Sequence, residues 1–278
     1  MALTVRVVAA MLLAGSTLVW ASGSPVGAWS TSDGAVAVFG SSENDEGQSV
    51  TVDSSGNVYT TGIFKGTVDF DPGAGTTNLT SNGNYDVFVS KLDSSGNLVW
   101  AKSFGGTNDD QSESVAVDSS GNVYTTGYFW DTVDFDPGAG TTNLTSNGWR
   151  DVFVSKLDSS GDLVWAKSFG GSGSDSALSV AVDSSGNVYT AGSFNDTVDF
   201  DPGAGTTNLT ASVVVSGGSV ISGPDVFVSK LDSSGNYVWA KSFGEPRSDS
   251  ANSVAVDSSG NVYTTGRFAT YYSSGTVD

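Results

Sequence analysis

The 278-residue chain contains no histidine and no cysteine, and these two absences exclude most familiar hydrolytic and metal chemistry. Without imidazole there is no serine–histidine–aspartate triad, and without a thiol there is no thiolate nucleophile. Zinc and copper sites built on those ligands are excluded with them. No disulfide can staple the fold, so stability must come from a packed core, which a chain of this length can bury. Charge is scarce too. Charged residues make up 15% of the chain, against 38% hydrophobic residues and 36 glycines, a composition suited to short strands and tight turns. Carboxylate-only catalysis remains open, as does a hard cation held by oxygen ligands.

Basic residues are the other shortage. Eleven Lys and Arg stand against 30 Asp and Glu, a formal charge of −19, which argues against nucleic acid or an anionic membrane surface as partner. At the N-terminus Arg6 precedes an apolar run over residues 7–21, with Val19 and Ala21 at the −3 and −1 positions of a cleavage site. That is the pattern of a secretory signal peptide. The run is shorter than the ~20 residues of a membrane span, and Gly15, Ser16 and Thr17 interrupt it. The expectation is a leader over 1–21, a linker over 22–34, and a secreted or cell-surface (periplasmic or extracellular) mature chain with no membrane span.

Repetition dominates the remainder. DSSGNVYT begins at Asp53, Asp118, Asp183 and Asp257, at intervals of 65 (118 − 53), 65 (183 − 118) and 74 (257 − 183). A second DSSG series, followed by an apolar run with tryptophan, begins at Asp93, Asp158 and Asp232. Asp at the first position of a type I turn accepts backbone N–H groups, and Gly at the fourth takes positive φ, giving a three-residue hairpin loop with a bulge. Positive φ is therefore expected at Gly56, Gly96, Gly121, Gly161, Gly186, Gly235 and Gly260. Strand-like runs flank the turns at 49–52, 58–64, 87–92 and 98–104. Each unit thus reads as two hairpins, or four antiparallel strands. Both faces of these strands carry apolar residues, so each sheet needs a neighbour on both sides, and stacked sheets with tight hairpins favour propeller blades over a solenoid.

The pairing of S-V-A-V-D-S-S-G-N-V-Y-T-T-G with D-V-F-V-S-K-L-D-S-S-G-N-L-V-W-A-K-S-F-G-G is similar to the bacterial β-propeller repeat of the SBBP type. The likeness runs from about residue 35 to the end. It implies an all-β propeller domain in exported or surface-associated bacterial proteins, and no common activity. The domain is expected over 35–278, with four-stranded antiparallel blades at about 49–105, 114–170 and 179–244 and a partial blade over 253–278. Residues 35–40 (AVAVFG) align with 100–105 and read as an outer strand. Two arrangements stay open. That strand completes the last blade of a four-bladed ring, or the chain is a fragment of a longer propeller, since 275–278 repeat 66–69 in mid-motif.

TVDFDPGAGTTNLT begins at 67, 132 and 197 and places three acid pairs at i, i+2 spacing: Asp69 with Asp71, Asp134 with Asp136, and Asp199 with Asp201. An extended chain puts both carboxylates of a pair on one side, where they would chelate Ca²⁺. The plainer reading is a strand end and an Asp-Pro-Gly turn, with Phe70 buried and the acids solvated. Trp100, Trp165 and Trp239 share one repeat position and read as core. Trp130 and Trp149 depart from the repeat and read as exposed aromatics, suited to sugars or partner side chains. In the third unit nine extra residues fall within 211–224, where Val213–Val215 and Val220–Ile221 flank a Gly-Gly turn. A hairpin with exposed valines is expected there.

The function expected is an exported, non-catalytic repeat scaffold or binding module that needs no cofactor, with a protein or glycan partner at the propeller rim. The rivals are a Ca²⁺-dependent adhesin or carbohydrate binder using the Asp pairs, and a polysaccharide-active enzyme using carboxylates alone. An enzyme would show one acidic pocket that breaks the repeat.

Overall fold

The computed structural model describes residues 8–10, 36–216 and 218–269. The expected cleavage positions Val19 and Ala21, the linker, Gly217 and the repeated GTVD at 275–278 lie outside them. Every regular element among the described residues is a strand.

The DSSG turn organises them. Asp53 N–H donates to the Asn57 carbonyl and Gly56 N–H to the Asp53 carbonyl, both at 3.0 Å, closing a turn with a bulge. All seven expected glycines have positive φ, between 78° at Gly186 and 84° at Gly96, in the left-handed region that a side chain disfavours. The Asp53 carboxylate accepts the N–H groups of Ser55 and Asn57 at 2.9 Å, the Asn57 amide at 2.7 Å and the Tyr59 hydroxyl at 3.0 Å. The same four bonds recur at Asp118, Asp183 and Asp257. Asp93 and Asp232 make the backbone and asparagine bonds without a tyrosine. Burial raises the Asp118 carboxyl, but bonds from Asn122, Tyr124 and Ser120 outweigh it and hold the group below its ordinary range. The hydrogen bonds of Asp53 and Asp183 overcome burial in the same way.

Two DSSG hairpins build each blade. The first sheet runs Glu46–Val52, Val58–Phe64, Asp86–Leu92, Leu98–Phe104 in hydrogen-bonded order. The second is Gln111–Val117, Val123–Asp134, Asn143–Leu157, Leu163–Phe169, and the third is Ser176–Val182, Val188–Phe194, Asp225–Leu231, Tyr237–Phe243. A further hairpin, Ser250–Val256 with Val262–Arg267, forms a two-stranded sheet. Short ribbons pair Thr67–Asp69 with Asn78–Thr80 and Thr197–Asp199 with Asn208–Thr210. The sequence does not show these ribbons as separate elements. In the second blade the corresponding residues extend the two central strands instead.

The central strands are buried on both faces, as the apolar pattern requires. Gly62 lies opposite the bulge between Gly47 and Ser49, and a Cβ there would stand 1.9 Å from the Glu46 carbonyl oxygen. Its partner on the third strand is Phe88, whose ring packs among Phe39, Phe64 and Phe70. Two buried threonines of the second strands are satisfied by the third: the Thr61 hydroxyl donates to the Phe88 carbonyl at 2.8 Å and Thr126 to the Phe153 carbonyl at 2.7 Å.

The described chain forms two compact units, one centred on the first blade and one on the third, and strands of the second blade contribute to both. In the first unit Phe39 packs on Phe70 with ring centroids 5.0 Å apart and planes tilted 41°. Phe104 meets Phe135 at 5.0 Å and 39°. In the second unit Phe169 meets Phe200 at 5.1 Å and 40°. Phe39 thus takes the position of an outer-strand phenylalanine, as the alignment of 35–40 with 100–105 anticipates. Val36–Val38 is hydrogen-bonded to Val8–Ala10.

Replacing Asp118 by alanine leaves the fully buried Tyr124 without its hydroxyl acceptor and opens the turn. We expect a loss of about 3 kcal/mol in urea unfolding, the scale of one or two buried polar groups left unpaired. Asp93→Ala, which has no tyrosine to orphan, should cost clearly less; equal losses would refute the role assigned to the tyrosine bond.

Candidate ligand-binding surface

The acid pairs at the strand ends serve the loop that follows them. Asp69 Oδ1 accepts the N–H of Asp71 at 3.0 Å and of Thr77 at 2.8 Å, while Asp71 Oδ1 accepts Gly73 N–H at 2.7 Å. In the second unit Asp134 Oδ1 accepts the N–H of Asp136 at 3.0 Å and of Thr142 at 2.7 Å, and Asp136 Oδ1 accepts Gly138 N–H at 2.7 Å. In the third, Asp199 Oδ1 accepts the N–H of Asp201 at 3.1 Å and of Thr207 at 2.8 Å, and Asp201 Oδ1 accepts Gly203 N–H at 2.8 Å. Phe70, Phe135 and Phe200, between the acids of each pair, are fully buried.

In this structure Asp69, Asp71, Asp134, Asp136, Asp199 and Asp201 each brace their own loop, as the plainer of the two readings of these pairs has it. One oxygen of each acid is engaged by backbone N–H groups of its own loop. Among the described residues no three acidic side chains converge into a group able to hold a metal ion, so neither Asp136 nor Asp201, nor any other member of the pairs, gains a third acidic ligand.

A different set of acids is buried, and the sequence reading missed it. Asp86 and Asp225 open their third strands and Asp151 holds the equivalent place within Asn143–Leu157, while Asp45, Asp110, Asp175 and Asp249 precede the first strands; all are buried. The second set acts as clasps. Asp175 Oδ2 accepts Gly171 N–H, at the end of one blade's outer strand, and Oδ1 accepts Asn195 N–H, at the end of the next blade's second strand, at 2.8 and 2.9 Å. Asp249 does the same with Glu245 and Ala269 at 2.8 and 2.7 Å. Asp45 bonds Ser41 and Lys65 N–H equivalently.

In the first set Oδ2 is bonded to the N–H of Asn82, Asn147 or Ser212 at 2.9, 3.0 and 2.9 Å. Oδ1 has no hydrogen-bond partner in any of the three. Asp225 Oδ1 and Asp249 Oδ2 stand 2.5 and 2.8 Å from where a Cβ on Gly244 would lie, which is why each outer strand ends in Phe-Gly. Burial pushes Asp86 and Asp151 up to about 6, with the neighbouring Asp175 carboxylate contributing at Asp151. Repetition of the Asp before V-F-V-S-K-L was the available signal. Its burial is set by neighbouring chain segments that no local pattern displays.

One surface breaks the repeat. Trp130 and Trp149, on the long central strands of the second blade, have ring centroids 5.9 Å apart and planes tilted 52°. Trp149 is 66% exposed. Beside them the Arg150 guanidinium lies 4.3 Å from the Tyr128 ring centroid, and its buried Nε has no hydrogen-bond partner. Asp131 holds the adjoining backbone at φ 53°, its N–H donating to Ser146 Oγ at 3.0 Å. The first blade has Lys65 over Tyr85 at 5.6 Å in this region. The exposure of Trp149 follows the sequence reading, whereas Trp130 is half-buried; the Arg150–Tyr128 contact does not appear in that reading. In the third blade Val213–Ser216 and Ser219–Ser222 form the expected hairpin, with Val213 and Val215 exposed.

Four-stranded antiparallel blades on a repeated double hairpin define the class of β-propeller repeat proteins. The sequence model for that repeat, the beta-propeller repeat (SBBP), matches residues 37–62, 99–128, 164–195 and 238–267; the chain carries it four times. The chain is 32% identical over 155 residues to the WD repeat-containing protein L264 of Acanthamoeba polyphaga mimivirus, covering 52% of this chain and 11% of that protein. It is 29% identical over 181 residues to the regulatory protein FlaEY of Caulobacter vibrioides, covering 64% of this chain and 18% of that protein. The chain thus spans less than a fifth of the length of these relatives. No helix among the described residues is long and apolar enough to cross a membrane.

The buried acids give stability a definite pH dependence. A carboxyl raised in the folded state contributes stability that is complete below its unfolded value and is lost as pH rises through its folded value. Thermal unfolding should therefore occur at lower temperature at pH 7.5 than at pH 5, the loss levelling off just above 6, where Asp86 and Asp151 titrate in the folded chain. Asp86→Asn and Asp151→Asn together should flatten that slope. An unchanged slope in the double variant would remove these groups as its source.

Proposed function

We propose that this chain is an exported, non-catalytic binding module in which the blades are the scaffold and the Trp130–Trp149 surface takes a carbohydrate. The observation that carries this reading is the tilted indole pair, exposed Trp149 beside half-buried Trp130, on the one blade whose central strands run on continuously. Sugar C–H faces stack on indole rings, and the adjacent guanidinium offers planar donors to hydroxyl groups. The local cation within a strongly acidic chain suits a neutral glycan, since an acidic one would meet net repulsion. The turn aspartates, the strand-end acid pairs and the buried acids of the described blades recur from blade to blade, as architecture does and a single active site does not. Export rests on the leader pattern over 1–21.

Affinity electrophoresis against neutral soluble polysaccharides tests this. At least one should retard the protein, and Trp149→Ala should weaken retention by about 10-fold, equivalent to 1.4 kcal/mol, without shifting the melting temperature. Retention unchanged in Trp149→Ala, or no polysaccharide retained, would end the reading. A parallel run in EDTA separates a Ca²⁺-dependent form, which would draw on the loops of Asp69 and Asp71, Asp134 and Asp136, and Asp199 and Asp201.

A further inference from the structure

The indole pair of the second blade adjoins a second departure from the repeat. Two residues before the clasp aspartates at 45, 110, 175 and 249 the chain carries Glu43, Asn108, Gly173 and Arg247. One joint of these four therefore has no side chain at that place, and it is the joint beside Trp149. The Trp149 N–H donates to the Gly173 carbonyl at 3.3 Å and the Asp175 N–H to the Arg150 carbonyl at 2.8 Å, with a parallel bridge from Arg150 to Ser174 between them. The strip from Gly173 to Asp175 is thereby fixed along the chain segment that carries the exposed indole.

The third blade meets the same strip. Asn195 donates its N–H to Asp175 Oδ1 at 2.9 Å and its side-chain amide to the Ser174 carbonyl at 2.5 Å. A Cβ on Gly173 would stand 2.7 Å from the Asn195 Cβ and 3.4 Å from Asp196 Oδ2. Gly173 thus meets the Trp149 backbone through its carbonyl and the Asp196 carboxylate across its bare α-carbon, and both residues are exposed. Asp196 sits at φ 56°, where the first blade has Gly66 at φ 73°. Glycine holds such a turn at less cost, so the aspartate adds to this surface an acceptor that the turn itself does not need. Burial raises the Asp175 carboxyl; of the charges around it, Asp196 raises it further and Arg150 lowers it. The Arg150 cation is in part answered by Asp175, and Asp196 is the charge presented beside the glycine.

We propose, resting on the carbohydrate reading above, that the glycan site has a second subsite: the sugar stacked on Trp149 is followed by one that crosses Gly173 and gives two neighbouring hydroxyl groups to the Asp196 carboxylate. The two oxygens of a carboxylate accept a pair of O–H donors, and the charge strengthens both bonds. The ligand class is then a neutral polysaccharide with free vicinal hydroxyls. A uronic or sulfated unit would set its own anion against Asp196. A side chain at 173, such as the asparagine or arginine of other joints, would occupy the path.

The test is affinity electrophoresis of the intact chain in dextran, galactomannan, soluble starch and mixed-linkage β-glucan. In a gel where retention depends on Trp149, Asp196→Asn should weaken it about 10-fold, the scale of charge-assisted hydrogen bonds. Asparagine accepts the left-handed backbone, so the melting temperature should hold. Glu43→Gln, which removes the same charge from an exposed place outside the site, should be retained like the unaltered chain. Added disaccharide from the same polysaccharide should release the chain at lower concentration than the monosaccharide, and that advantage should shrink in Asp196→Asn. Unchanged retention of Asp196→Asn, an equal loss in Glu43→Gln, or no advantage of the disaccharide overturns the second subsite while Trp149→Ala still reports on the first. Retention that ignores Trp149→Ala, or no retention in any gel, removes the carbohydrate reading and the subsite with it.

Discussion

The carboxylate of the first DSSG residue is the interaction on which the rest depends. At Asp53 one side chain accepts two backbone N–H groups, an asparagine amide and a tyrosine hydroxyl, so turn closure and core formation share one acceptor. The turn sets strand register, because a slip of one residue would exchange the two faces of every strand. It also fixes where the buried tyrosine stands, and the tyrosine in turn carries the lysine of the third strand above it. A chain without disulfides obtains its registration from these repeated local contacts.

Aspartate performs two opposed tasks in this fold, and the surroundings decide which. In the turns, dense donation to both oxygens holds the group ionised below its usual range. At the head of the third strand one oxygen receives backbone N–H and the other none, and desolvation prevails, lifting the group toward neutrality. The two sets limit stability from opposite sides. Turn carboxylates lose their contribution in acid, and buried ones lose theirs toward neutral pH.

The parts legible in the sequence are those whose causes are local. Asp and Gly three apart dictate a turn, and apolar residues on both sides of a strand dictate two neighbours; the strands Val58–Phe64 and Leu98–Phe104 lie where that reasoning placed them. The burial of Asp86 was not legible, because it depends on Gly105 lying against its carboxyl, nineteen positions away (105 − 86). Trp149 was legible as a departure from the repeat. The Arg150–Tyr128 contact was not, since it follows from the two central strands of the second blade running on together. The spacing of the strand-end acids shows where the carboxylates stand and not which donors reach them, so the loop bonds were not legible in it. At Asp71, Asp136 and Asp201 alike, the glycine two residues on supplies the donor.

The clasp at Asp175 ties Gly171 to Asn195, and both lie within one sequence match to the repeat, 164–195. Asp45 likewise lies within 37–62 and ties Ser41 to Lys65, just past its end. The sequence repeat as matched therefore straddles the joint between blades, phased half a unit from the blade itself. A tandem duplication that copies this module brings a ready-made joint with it, and the new sheet is assembled from halves contributed by adjacent modules. Such an array can lengthen or shorten by unequal exchange between copies without any new interface having to evolve.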